Sequence, residues 1–241
     1  MRRGGGLILI TNLSRVPRFK AYLNYASTGL LPEETVKAVH WVTAYQATRG
    51  SLPKDEFEPV LDEVRALAAS IIHADPEEIA LTQNTTQGLQ IAFATIPWRR
   101  GDEMIITRRA FPANYLIWLP LSDKVRLNIV EAPYAPGLEE AILHRITPRT
   151  RAIAVDWVSY STGYRVDIDR IAAACRDRAI YFIVDAMQGL GVLPLNVRQT
   201  PISFLAVGGA KWLISPWATG FVFVSRDIQD RLLTGPAGWL S

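Results

Sequence analysis

Seven short apolar runs between residues 79 and 224 constrain this chain more than any other feature. They cover residues 79–82, 103–107, 125–130, 152–155, 181–184, 204–207 and 221–224. Most lack polar alternation, which a strand can sustain only when both of its faces are covered. Between them lie stretches with helical spacing: from Thr86 onward, 115–121, 138–145 and 168–176. Short buried strands alternating with helices of roughly 8 to 12 residues predict an α/β fold. The expected architecture is a mostly parallel seven-stranded sheet with helices on both faces. Two further helices are expected upstream. One begins at Glu33 with acidic residues in its first turn, and one spans 57–73 with Val60, Leu61, Val64, Leu67, Ala68 and Ile71 at helical spacing.

Ligands of such sheets sit beyond the carboxyl ends of the strands. The run at 203–224, SFLAVGGAKWLISPWATGFVFV, places Lys211 alone among apolar and small residues just after a strand. Desolvation disfavours an ammonium ion and makes a nucleophilic amine available near neutral pH, as Schiff-base chemistry requires. Taken alone, the residue reads more readily as a snorkelling lysine. The run at 181–189, YFIVDAMQG, ends a buried strand on Asp185, followed by Gln188. A carboxylate and a lysine at neighbouring strand ends suit a pyridine cofactor, with Lys211 holding pyridoxal phosphate and Asp185 keeping its ring nitrogen protonated. Residues 83–88, QNTTQG, stand where a strand turns into a helix, so Thr85 and Thr86 either cradle a phosphate or sit in an ordinary N-cap formed by Asn84 or Thr85.

Composition narrows the function classes. With 241 residues, 49% of them hydrophobic, the chain can bury a sizeable core. The net charge of +3 comes from scattered Lys and Arg, which predicts no nucleic-acid partner. No apolar run approaches the roughly 18 residues of a membrane span, and MRRGGGLILI is too short in its apolar part for a signal peptide, so a cytoplasmic setting and no membrane partner are expected. The single cysteine, Cys175, reads as core, and His40, His73 and His144 lack metal-ligand spacing, so no metal site is expected.

Six segments carry a resemblance: YLNYASTGLLP at 22–32, LTQNTTQGLQIA at 81–92, FPANY at 111–115, WVSYSTGYRVDI at 157–168, VDAMQG at 184–189 and GGAKWLISPWATGF at 208–221. In this order they resemble the class V, fold-type I pyridoxal-phosphate enzymes, which include cysteine desulfurases, isopenicillin N epimerase-like proteins and several aminotransferases. The resemblance implies catalytic roles for Lys211 and Asp185, with Thr85 and Thr86 binding phosphate and Phe111 stacking on the pyridine ring. It further implies that Gln188 and Ser159 approach the ring's phenolic oxygen. Thr219, in WATG, would reach a partner's phosphate in a homodimer, and the 22–32 loop would lie over the site. The implied substrate is an amino acid or an amine. Gly208 and Ala210 stand where desulfurases carry Ser and His, which favours the epimerase-like or aminotransferase-like branch.

The same resemblance divides the chain into an N-terminal segment with its first helix, 1–50, and a cofactor-binding large domain, 51–241. It also implies a small C-terminal domain beyond the position matching Ser241, bearing an arginine for the substrate carboxylate. The expectation is therefore a truncated large domain, either an enzyme or a non-catalytic cofactor-binding module.

Overall fold

The computed structural model describes residues 21–235. The opening MRRGGGLILI and residues 236–241 lie outside the described residues. Helices α1 (Glu33–Arg49) and α2 (Lys54–Ile72) precede strand β1 (Ile79–Thr82) and helix α3 (Thr85–Thr95). Then follow β2 (Glu103–Thr107), α4 (Pro112–Leu116), β3 (Arg126–Val130), α5 (Leu138–Leu143), β4 (Thr150–Asp156) and α6 (Ile168–Arg176). Strands β5 (Tyr181–Asp185), β6 (Phe204–Gly208) and β7 (Gly220–Val224) lead to the short α7 (Arg226–Gln229).

The seven strands form one sheet in the order β1-β7-β6-β5-β4-β2-β3. Adjacent pairs among β6, β5, β4, β2 and β3 are parallel, and β7 runs antiparallel to both β1 and β6. Strands β2, β5 and β6 are buried along their whole length, as their unbroken apolar runs require. Successive side chains alternate between two cores. Ile105, Ile153, Val155, Phe182, Val184 and Leu205 face one layer, covered by Ala68, Ala69 and Ile72 of α2 and by Ile171 and Cys175 of α6. Met104, Ile106, Ala154, Ile183, Phe204 and Ala206 face the other, covered by Leu89 and Ala92 of α3 and by Trp118.

Three local expectations are corrected. The stretch at 115–121 is not one helix: α4 ends at Leu116 and a 3₁₀ turn, Leu119–Asp123, follows, with Pro120 unable to donate the next backbone bond. Helices α4 and α5 are also shorter than the 8 residues expected, at five and six residues. The apolar stripe of α2 is the third. The helix docks through Ala68, Ala69 and Ile72 near its C-terminal end, leaving Val60, Val64, Leu67 and Ile71 exposed, while α1 buries no residue at all.

Candidate active site

Lys211 lies in the turn that carries the chain from β6 back into β7. That turn is pinned at its neck, where Gly209 N donates to Thr219 O (2.8 Å) and Ser215 N to Gly209 O (2.9 Å). Its backbone is strained further along: Ile214 has φ 45° and Ala218 φ 64°, in the left-handed region that a β-branched residue rarely enters. The 22–32 loop closes against this turn. Gly29 N donates to Ala210 O (2.8 Å), and Tyr25 stacks on Trp212 with ring centres 6.0 Å apart. A Cβ at Gly29 would stand 2.2 Å from Lys211 O, so only glycine permits this approach.

Lys211 and Asp185 line one cavity at the carboxyl ends of the strands, together with Phe111, Asp156, Tyr160 and Gln188. The Lys211 amine stands over the Phe111 ring, 5.7 Å from its centre, within cation–π range. Phe111 is half-exposed and meets Tyr160 edge-on at 5.3 Å. Desolvation lowers the lysine's pKa, opposed by the charge of Asp185. Asp185 ends β5, buried, and its Oδ1 accepts from Met187 N (2.9 Å). Burial pushes its carboxyl up, against the Met187 amide and Lys211, which hold it down. A half-buried amine and a buried acid in one cavity provide a nucleophile and an anionic anchor. A larger groove of about 570 Å³, near His73 and Arg165, lies away from this pair and holds neither residue.

The anion cradle has its own signature. Asn84 Oδ1 caps α3 by accepting from Gln87 N (2.9 Å), while the first-turn amides of Thr85 and Thr86 have no intrahelical acceptor by helix geometry. Thr85 is buried and its Oγ1 has no hydrogen-bond partner, whereas Thr86 is exposed. A Cβ at Gly208 would stand 3.4 Å from that hydroxyl, so the glycine leaves room beside it. An orphan hydroxyl at the positive end of an 11-residue helix fits the phosphate of pyridoxal phosphate.

The remaining expected residues divide. Gln188 faces the cavity, with its amide committed: Nε2 donates to Ala26 O and Oε1 accepts from Trp212 Nε1, both at 2.9 Å. Ser159 is buried outside the cavity lining, where its Oγ accepts from Thr162 N (3.2 Å) and braces the 159–163 turn. Thr219 donates to Pro216 O (2.6 Å) in a loop whose Trp217 is exposed. Cys175 is buried in α6, and burial pushes its thiol up to about 12, which leaves it inert. Among the described residues no group of His, Cys, Asp or Glu is placed to hold a metal ion.

Asp156 and Tyr160 line the cavity but were missed by reading the sequence. Asp156 ends β4 as Asp185 ends β5, buried and on the same face. Its signal was present: AIAVD at 152–156 and YFIVD at 181–185 are two apolar strands that both stop on an aspartate.

The family model for aminotransferase class-V matches residues 21–238. A probable cysteine desulfurase of Methanothermobacter thermautotrophicus is 29% identical over 228 residues, covering 89% of this chain and 55% of that protein. The isopenicillin N epimerase of Streptomyces clavuligerus is 25% identical over 227 residues, covering 90% and 56%. The solved complex of the cystine C-S lyase C-DES with cysteine persulfide superposes with a TM-score of 0.84 at 22% identity, covering 90% of this chain and 60% of that one. The chain thus spans little more than half the length of the curated relatives it matches, and identity alone does not separate a desulfurase from an epimerase. The fold, the ordered segments and the match over most of its length place it by descent: the chain belongs to the aminotransferase class-V family.

Proposed function

We propose that the protein is a pyridoxal-phosphate-dependent enzyme acting on an amino acid or an amine, with Lys211 as its Schiff-base lysine. The observation that carries this reading is the convergence of the desolvated Lys211 amine, buried Asp185 and the Phe111 ring in one cavity. When bound, the cofactor supplies an electron sink for a carbanion at the substrate's α carbon. Asp185 would hold a proton on the ring nitrogen, and Phe111 would cover one face of the ring. Thr85 and Thr86, at the start of α3, would bind the phosphate. The Lys211 amine would take and return the substrate's α proton.

Gln188 and Ser159 are assigned to the phenolic side of the ring, with Gln188 favoured because it faces the cavity. Thr219 is assigned to a partner's phosphate in a homodimer. The exposed apolar residues Val60, Val64, Leu67 and Ile71 on α2 and Trp217 in the WATG loop support an assembly that covers them. Residues 51–241 form the cofactor domain in this reading, and 1–50 an N-terminal segment. Gly208 and Ala210 favour an aminotransferase or epimerase reaction over a desulfurase one. The buried, inert Cys175 is compatible with a cytoplasmic setting.

The test is the visible absorption of the purified protein with pyridoxal phosphate, followed by borohydride reduction and peptide mapping. A new band and an adduct on Lys211 are expected. A band absent from the wild type, or an adduct on another lysine, sinks the assignment.

A further inference from the structure

In the parallel pairing of β4 with β5, Asp156 and Asp185 are direct partners. Partners on adjacent strands project from the same face, about 5 Å apart. Both are almost fully buried, at 3% and 4% exposure. Asp156 is also the more elaborately held. Its Oδ2 accepts from Phe111 N (2.6 Å) and its Oδ1 from Asn114 Nδ2 (2.9 Å), and its backbone N–H donates to Tyr134 Oη (3.1 Å). Asp185 from β5 and the Tyr134 hydroxyl face it, Lys211 from the turn after β6 and Tyr160 line the same cavity, and α4 offers only neutral donors. Two acids thus share a dry site with a single, half-buried amine, and like charges at this spacing resist joint ionisation. Burial first, then the charge of Asp185, pushes Asp156 up, whereas Asp185 has Met187 N and the Lys211 amine to hold its charge. The amine therefore favours the charge on Asp185 and the shared proton on Asp156.

We propose that Asp156 is the positioning residue of the ring site: it fixes Phe111 through that residue's backbone amide and holds a proton beside Asp185, leaving Asp185 anionic for the ring nitrogen. The second half rests on the pyridoxal-phosphate reading; the first half and the proton sharing do not. An asparagine cannot replace the acid. Both Asp156 oxygens already accept, and an amide would turn its NH₂ towards the donor on Phe111 or on Asn114.

The experiment is a carboxyl ¹³C NMR titration of aspartate-labelled protein without cofactor, for the wild type, Asp156→Asn and Asp185→Asn. It is paired with pyridoxal phosphate binding followed by fluorescence from about pH 5 to 9. In the wild type both carboxyls are expected to titrate above the ordinary aspartate range. Asp185→Asn removes the charge beside Asp156 and is expected to lower the Asp156 midpoint by about one unit or more, and Asp156→Asn to weaken cofactor binding about tenfold with a flatter pH dependence across neutrality. An Asp156 midpoint unmoved by Asp185→Asn overturns the proton sharing. Should Asp185→Asn not fold, the wild-type Asp185 midpoint must lie below that of Asp156, and the reverse order is equally fatal. A wild type that binds no cofactor yet shows coupled carboxyls overturns the ring role and the cofactor reading together. Cofactor bound over independently titrating carboxyls overturns this inference alone.

Discussion

The amine of Lys211 lies 5.7 Å from the centre of the Phe111 ring, and Phe111 in turn is tied by its backbone to Asp156. The ring is therefore held from below by the sheet and faces the lysine across the cavity. Replacing Phe111 with Ala removes the flat apolar partner that a pyridine ring would use, and cofactor affinity is expected to fall about three- to tenfold. Phe111→His retains a planar ring and is expected to keep most of it. Fluorescence titration with pyridoxal phosphate measures both, and equal affinities for wild type and Phe111→Ala would remove Phe111 from the site.

Gly29 ties the 22–32 loop to the lysine turn, and no side chain fits there. A methyl group would meet Lys211 O at 2.2 Å, a backbone atom that cannot swing aside. Gly29→Ala is expected to separate the loop from Ala210 and to cost about 1–3 kcal/mol. Urea unfolding gives the stability. Borohydride trapping at Lys211 is expected to slow in parallel, because the same contact sets the lysine's position.

Lys211 and the exposed Lys37 and Lys54 offer an internal comparison. Desolvation lowers the pKa of Lys211, so more of its amine is neutral at mildly alkaline pH. At about pH 8 an amine-selective reagent is expected to label Lys211 faster than either exposed lysine, although it is less accessible. Peptide mapping of a short reaction provides the rates. Labelling in order of exposure would mean that the cavity does not suppress the ammonium form.

The sheet was legible because its strands are buried on both faces: YFIVD and FLAVG carry no polar interruption, and each such run became a strand. The two-core alternation was hidden for the same reason, since a strand apolar on both sides shows no period. The α2 stripe misled because periodicity reports that a helix has an apolar face, not which surface covers it. Here Ala68 and Ala69 allow close approach to the sheet, while the larger Val64 and Leu67 point away. Lys211, Asp185 and Phe111 were legible from their motifs. Gln188 was legible as a cavity residue, though its bond to Ala26 depends on a loop that lies 162 residues away in sequence. Asp156 was passed over because its partner is defined by strand register, which a single sequence does not print.

The coupled acids imply a pH dependence of folding without cofactor. Both folded-state values are raised, to about 6 for Asp185 and about 8 for Asp156, so each acid binds its proton more tightly folded than unfolded. Their contribution to stability is complete below the unfolded value, about pH 4. It is lost as pH rises through about 6 and then about 8. Thermal melts of the wild type are expected to fall relative to those of Asp156→Asn between about pH 5 and 8. A constant gap would show that the variant lost only hydrogen bonds.

Glu103 gives the opposite sign. It opens β2 with 1% exposure and accepts from Thr147 Oγ1 (2.7 Å), Asn128 Nδ2 (3.0 Å), and Arg149 Nε (3.2 Å) and Nη2 (3.0 Å). Burial opposes its charge, but these donors outweigh it and hold the carboxyl below its ordinary value. Its contribution is therefore present above the unfolded pKa, about 4.3, and is lost as pH falls through the lower folded value. Glu103→Gln keeps the shape but turns an NH₂ towards these donors, so a loss of about 1–3 kcal/mol is expected at pH 7. The loss should shrink as pH falls below about 4 and the wild-type acid takes up its proton at the lowered folded value. Denaturant unfolding at both pH values measures it, and a gap that stayed full in acid would assign the loss to packing around β2 rather than to the charge.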